Sequence, residues 1–219
     1  ADSLVARVDT VGWKGWGLAG ASLNAVGDGR EYAWSVQAAS AGDGRLSGEG
    51  VWAAANGSGV NAYRATLAAS AFGFPSGRVS GEVDLEGQGF DPATAQVAAD
   101  VTLGASQVGD VRVDSARFEL GWGEGDGDVA GRLATNVGRA DLSGRWYADG
   151  DGGRVDLERM AFQDVDLSAW LDDPTIPLLA GRGSGMAGWD GPPTAMTDPR
   201  RWLADADVEL AAMRLRGVE

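Results

Sequence analysis

The sequence has no cysteine and no histidine. Their absence removes a disulfide frame, thiol chemistry, the Ser-His-Asp and Cys-His arrangements, and the usual zinc ligand sets. It is neutral about compartment, since a cysteine-free chain fits reducing and oxidising sites alike. Lysine occurs once, at Lys14, so arginine supplies the other 17 of the 18 basic residues. With a formal net charge of −14 the chain lacks the basic footprint that phosphate binding demands, and no nucleic-acid partner is expected. An anionic membrane surface would repel it over most of its area. No stretch approaches the ~20 unbroken apolar residues of a spanning helix. The opening "ADSLVARVD" carries neither an initiator methionine nor a signal-peptide pattern. We read the chain as an excerpt of a longer protein or a processed form, with any targeting segment outside it.

What is present is glycine: 35 residues of 219, about twice the average share, with no period of three. Because 44% of residues are hydrophobic, this points to many tight turns rather than disorder. The segment "GRVSGEVDLEGQGFDPATAQVAADVTL" (77–103) shows the underlying pattern. Val79, Gly81, Val83 and Leu85 alternate with Arg78, Ser80, Glu82 and Asp84; Val97, Ala99, Val101 and Leu103 alternate with Gln96, Asp100 and Thr102. A period of two gives each strand one apolar and one wet face.

Similar runs predict strands near 3–9, 17–26, 31–40, 45–54, 60–69, 77–87, 94–104, 109–122, 128–136, 138–148 and 153–162. Asp-Gly pairs between them, at Asp28, Asp43, Asp126, Asp149 and Asp151, are hairpin-turn signals. A loose repeat of "SG" or "AG" recurs in "GRLSGEG" (44–50), "GRVSGEV" (77–83), "DVAGRLA" (128–134) and "ADLSGRW" (140–146). Strand glycine permits close approach, a bulge or a sharp curl. Its recurrence points to a sheet curved the same way throughout, the alternative being a flat meander with small residues. After residue 162 the texture changes. Helical turns are expected near 166–171, with Asp166 as N-cap, and near 198–204, with Pro199 at the first position. Strands are expected at 178–189 and 207–215. The chain therefore reads as one segment, 1–219, with a regular meander to 162 and strands with short helical insertions over 163–219.

Catalytic chemistry is scarce. The paired acids Asp149 and Asp151 read as turn chemistry rather than a glycosidase couple. "GEGDGD" (123–128) lacks the ligand spacing of a calcium hand and reads as a solvated turn. The two GxGxxG matches, at Gly15, Gly17, Gly20 and at Gly183, Gly185, Gly188, lack the strand-to-helix context of a dinucleotide site. No cofactor and no enzymatic activity are expected. The nine tryptophans, among them Trp34, Trp52, Trp122, Trp146 and Trp170, are expected to plug the ends of a β core.

The segments "GxGFDPATAQVAADVTL" (87–103), "DVRVDSARFEL" (110–120), "GDVAGRLATNVGRADLSGRWY" (127–147) and "VDLSAWL" (165–171), with the alternating "SG" strands, resemble the AsmA-like family, in particular its TamB (translocation and assembly module) branch. The resemblance covers residues 17–215 and rests on degenerate patterns rather than invariant residues. It implies an all-β antiparallel meander curled into a U-shaped groove, taco-like, with a greasy interior. It also implies a periplasmic segment of a Gram-negative-type envelope protein, anchored in the inner membrane by a segment outside this chain. The implied roles are phospholipid transport and outer-membrane protein assembly, with no catalytic residue. Implied partners are phospholipid acyl chains, an outer-membrane barrel assembly protein and adjacent segments of the same chain. On this reading Val79, Val83, Leu85, Val97, Val101, Leu103, Val129, Leu133, Leu142 and Trp146 line the groove. Two rivals remain: a transmembrane β-barrel segment, and a β-helix or sandwich that binds or cleaves polysaccharide.

Overall fold

The computed structural model describes residues 2–13, 16–40, 43–54, 61–74, 77–89, 94–123, 125–149, 152–166, 168, 177–189 and 202–214. They form a single antiparallel meander of fourteen strands. In chain order these are β1 (Asp2–Trp13), β2 (Trp16–Gly27), β3 (Glu31–Ser40), β4 (Arg45–Ala53), β5 (Ala62–Phe74), β6 (Gly77–Gln88) and β7 (Gln96–Leu103). Then follow β8 (Ser106–Val108), β9 (Val111–Gly123), β10 (Asp126–Thr135), β11 (Gly138–Asp149), β12 (Gly152–Val165), β13 (Leu178–Trp189) and β14 (Trp202–Arg214). Neighbours in sequence are neighbours in the sheet, and β1 and β14 form its two edges. The short β8 shares the lane of β7, since both pair with β6 on one side and β9 on the other.

Local chemistry explains the meander. The Asp28 carboxylate accepts the backbone N–H groups of Arg30 and Glu31 at 2.9 and 3.0 Å, closing the β2–β3 turn. Those two bonds hold its pKa below the ordinary carboxylate value. Left-handed residues sit at the β8–β9 and β9–β10 turns, Gly109 (φ 56°) and Gly125 (φ 91°). One expected turn is corrected: Asp126-Gly127 lies inside β10, paired with Gly123 and Trp122, and the turn falls one step earlier at Gly125. Tertiary pairing overrides the dipeptide signal because Gly127 is needed under an indole, as described below.

The tail departs further from expectation. Trp202–Asp205 belong to β14 rather than to a helical turn, paired by backbone bonds to β13; residues 198–201 lie outside the described residues. A single helical turn gives few hydrogen bonds for the residues it fixes, whereas the free edge of β13 gives one per lane. At 166–171, Asp166 accepts the Ser168 N–H and O–H at 2.9 and 2.6 Å, as an N-cap does, and Ser168 has helical backbone. The rest of that turn, Trp170 included, lies outside the described residues.

A seam of register shifts crosses the sheet. Extra residues occur in β2 between Ala19 and Ser22, in β5 between Ala69 and Phe72, in β9 opposite Ala134–Thr135, and in β12 between Phe162 and Val165. Ala71 and Asp164 take positive φ there (48° and 53°). In the same line the lane of β7 and β8 breaks at Gly104–Ala105, where the Ser106 hydroxyl accepts the Ser80 N–H and donates to the Gly104 carbonyl, both at 2.9 Å. Ser80 in turn accepts the Ala71 N–H, and Ser40 the Gly73 N–H. Bulges turn a strand and sharpen its twist. Buried residues along and beyond this seam include Ala38, Phe72, Val113 and Ala116 (3% exposed), with the buried Ser40 and Ser106 beside them; Ala65 and Ala95 are buried away from it.

Candidate functional site: an apolar face tiled over glycine

Residues paired across antiparallel strands point to the same side, so the register sorts every side chain. One cross-strand row runs Ala6, Leu23, Val36, Gly48, Leu67, Val83, Val101, Phe118, Gly131, Leu142, Met160, Gly183 and Val208. It crosses from one edge of the sheet to the other without a polar side chain. The next row includes Trp34, Ala65, Leu85, Ala99, Leu120, Val129 and Leu157. A third includes Leu103, Ala116 and Leu133, and Val79 pairs with Phe72. All ten residues expected to line a groove thus share one face, and Val83 stands directly opposite Val101.

This face is open. Among the described residues no large side chain is fully buried, and the strand positions that carry the face are mostly half-buried. Among the described residues no second layer of strands or helices lies over it.

The strand glycines have a specific place in this face. A Cβ on Gly50 would stand 2.6 Å from the Trp34 ring, one on Gly87 2.6 Å from Tyr63, and one on Gly131 would collide with the Phe118 ring. Gly27, Gly48 and Gly127 likewise lie under Tyr32, Leu67 and Trp146, and Gly181 under Phe162 at 2.8 Å. Each large side chain therefore lies flat over a glycine of the neighbouring strand. Gly48, Gly81 and Gly131, three of the "SG/AG" repeat glycines, carry such contacts. Flattening the large side chains keeps the face shallow while covering the backbone beneath it.

Sequence reasoning missed how the aromatics align. Tyr32, Trp52 and Tyr63 are successive cross-strand partners, and Trp122 and Trp146 flank Gly127 in the same row, reached through Gly87 and Val97. Tyr32 and Trp52 meet with centroids 5.5 Å apart and rings tilted by 36°, and Trp122 and Trp146 with centroids 4.7 Å apart and rings tilted by 58°. Trp52, Trp122 and Trp146 form, with Tyr32 and Tyr63, a belt near one end of the face; Trp34 lies one row further in, and Trp170 lies outside the described residues. The only signal for this was the register itself, which needs the turn lengths.

The opposite face is charged. Asp84, Asp100 and Glu119 are direct cross-strand neighbours, as are Arg117 and Arg132. Ion pairs tie parts of it together: Arg182–Glu209 at 2.7 Å, Arg145 to Asp128 and to Glu158 at 3.5 Å, Arg117–Asp100 at 3.7 Å. Arg154 is held above its ordinary pKa by the hydrogen bond it donates to Asp156. Two hollows of about 1140 and 800 Å³ open on this wet side, bordered by Glu49, Arg64, Glu86 and Asp128 in the first and by Asp84, Asp100, Arg117 and Glu158 in the second. Val97 borders the first and Leu85 and Val129 the second, although alternation turns their side chains to the other face.

Chemically the site offers apolar area and little else. Among the described residues no three acids are grouped to hold a metal ion. The carboxylates of the ion pairs above are solvent-exposed on the wet face. Asp149 ends β11, and Asp151 lies outside the described residues. Gly183, Gly185 and Gly188 lie within β13, paired on β12 and β14, rather than in a turn between a strand and a helix. Comparison with family models, curated proteins and solved structures returns no match for the chain.

Proposed function

We propose that the apolar face shields lipid acyl chains, or the strands of nascent outer-membrane proteins, in a periplasmic segment of an envelope-spanning protein, and that it does so without catalysis. The reading places the segment in phospholipid transport and outer-membrane protein assembly, beside a barrel partner, with the inner-membrane anchor outside this chain. One observation carries it: an apolar face that runs through every lane of the sheet with no layer over it among the described residues. Such a face is costly in water, at about 25 cal/mol per Å² of apolar area left uncovered. An acyl chain lying on it needs no polar site, and among the described residues no three acids are grouped to hold a metal ion.

The test places a charge on the face, by Val101→Asp and by Leu133→Glu. In a sealed core an unpaired carboxylate costs several kcal/mol and unfolds the domain. On an open face both variants keep the wild-type circular dichroism and lose only photo-crosslinking to lipid. Native mass spectrometry of the purified wild type is expected to show co-purified phospholipid. Collapse of both variants, or a wild type that never crosslinks, overturns the reading.

A further inference from the structure

The apolar face differs between its two ends. At the end of the β2–β3, β4–β5 and β9–β10 turns its aromatics carry polar tips: Tyr32, Trp52, Tyr63, Trp122 and Trp146. Toward the seam its aromatics are Phe72, Phe74 and Phe162, and among the described residues no tyrosine or tryptophan stands there on this face. Trp34 and Phe118 lie in the rows between. Packing follows the same gradient, since Phe72 and Val113 are buried at the seam whereas the belt is half-buried. Tyr63 lies over Gly87 and Trp146 over Gly127, so one side of each ring rests on backbone and the other is turned outward. The belt end is also acidic. Glu31 adjoins Tyr32, Asp126 adjoins Gly127, and Asp28 closes the turn before Tyr32. All three are exposed, with Arg30 the base beside them. Arg154, at the same end on the wet face, is held by Asp156 and lies 5.9 Å over the Tyr147 ring.

The geometry points to the aromatic belt as the seat of an ammonium-bearing head, with acyl chains running along the strands toward the seam, so that the face takes a zwitterionic phospholipid in one polarity. This polarity rests on the acyl-chain reading above and adds a direction and a head class to it. Tyrosine and tryptophan suit a boundary where one end of the ring is apolar and the other wet. Phenylalanine has no such tip and serves the tail end. An ammonium group is attracted both to an outward Tyr or Trp ring face and to the acids beside it. A head of net negative charge is repelled by Asp28, Glu31 and Asp126. Length agrees as well. From Gly87 in the belt row to Val79 beside the seam, β6 spans about 27 Å at the usual strand rise. The hydrocarbon of one bilayer leaflet is ~15 Å thick, so a whole tail fits between belt and seam. A nascent polypeptide strand, polar along its whole length, has no use for such a polarity.

Phosphatidylcholine carrying a photoactivatable diazirine, either in its head or at the end of an acyl chain, tests this on the whole chain, with crosslinks mapped by mass spectrometry. The head probe is expected to mark Tyr32, Trp52 and Tyr63, and the tail probe Leu46, Phe72 and Val79. Tyr32→Leu with Trp52→Leu and Tyr63→Leu is expected to lower head crosslinking at the belt at least fivefold. Phe162→Leu, on the seam side, is expected to change it less than twofold. The wild-type maps alone decide the polarity should the triple variant unfold. Phosphatidylglycerol, whose head is anionic, is expected to compete at least tenfold less well than unlabelled phosphatidylcholine. The proposal is overturned if the two probes mark the same residues, or if the head probe marks the seam; capture itself would then still uphold the acyl-chain reading. Equal competition by phosphatidylglycerol overturns it too. No capture of either probe overturns both the polarity and the reading beneath it.

Discussion

The glycine seats make a quantitative claim that one pair of substitutions isolates. Gly131 in β10 lies on the apolar face, where an added Cβ meets the Arg117 carbonyl oxygen at 2.7 Å and collides with the Phe118 ring. Gly121, in the neighbouring strand β9 on the wet face, has only the Asp128 nitrogen near, at 4.0 Å. Neither has a left-handed φ, so alanine is conformationally acceptable at both. Replacing a strand glycine by alanine where there is room gains about 0.5–1 kcal/mol by restricting the unfolded chain. Gly121→Ala is expected to show that gain. Gly131→Ala carries the same gain set against an overpacking cost of about 1–3 kcal/mol, because one of the two clashing groups is backbone. Subtracting one variant from the other removes the common part and leaves the overpacking cost alone. A gap of about 2 kcal/mol separates their melting temperatures by about 4–8 °C in a chain of this length. Urea unfolding followed by circular dichroism measures it, provided the slope is common to both variants. Phe118→Leu combined with Gly131→Ala is expected to recover part of the loss, as residues in contact couple. If the two alanine variants melt together, the aromatics do not depend on the glycines beneath them and the tiling argument fails.

Two further outcomes follow from the seam and the turns. Ser106→Ala leaves the half-buried Ser80 N–H without its acceptor and is expected to cost about 1 kcal/mol, read as a lower urea midpoint and faster amide exchange at Ser80. The Asp28 carboxyl titrates below its ordinary 3.8 in the folded state, so its support of the β2–β3 turn is full above that value and fades as pH falls through the folded pKa. Amide exchange at Arg30 and Glu31 is expected to quicken over that acid range in the wild type and to be fast and independent of pH, beyond the intrinsic dependence, in Asp28→Ala.

Period-two alternation determined much of this protein from sequence alone. It gave the strand at 31–40 its observed bounds, put Val83 and Val101 on a common side, and separated an apolar from a charged face, because side chains on a strand have only two directions to take. The absence of histidine and cysteine likewise excluded thiol and imidazole chemistry before any coordinate was needed. Tertiary structure decided what depends on more than one strand. Asp126-Gly127 reads as a turn in isolation, yet register makes Gly127 the seat of Trp146. Tyr32, Trp52 and Tyr63 are scattered in sequence and become a belt only once two hairpins fix their offsets. The seam of bulges and the split lane of β7 and β8 are equally invisible locally, since each extra residue is defined by the partner strand that does not match it. Alternation is a property of one strand and is written in its residues; register, seats and edges are relations between strands, settled only when the whole sheet pairs.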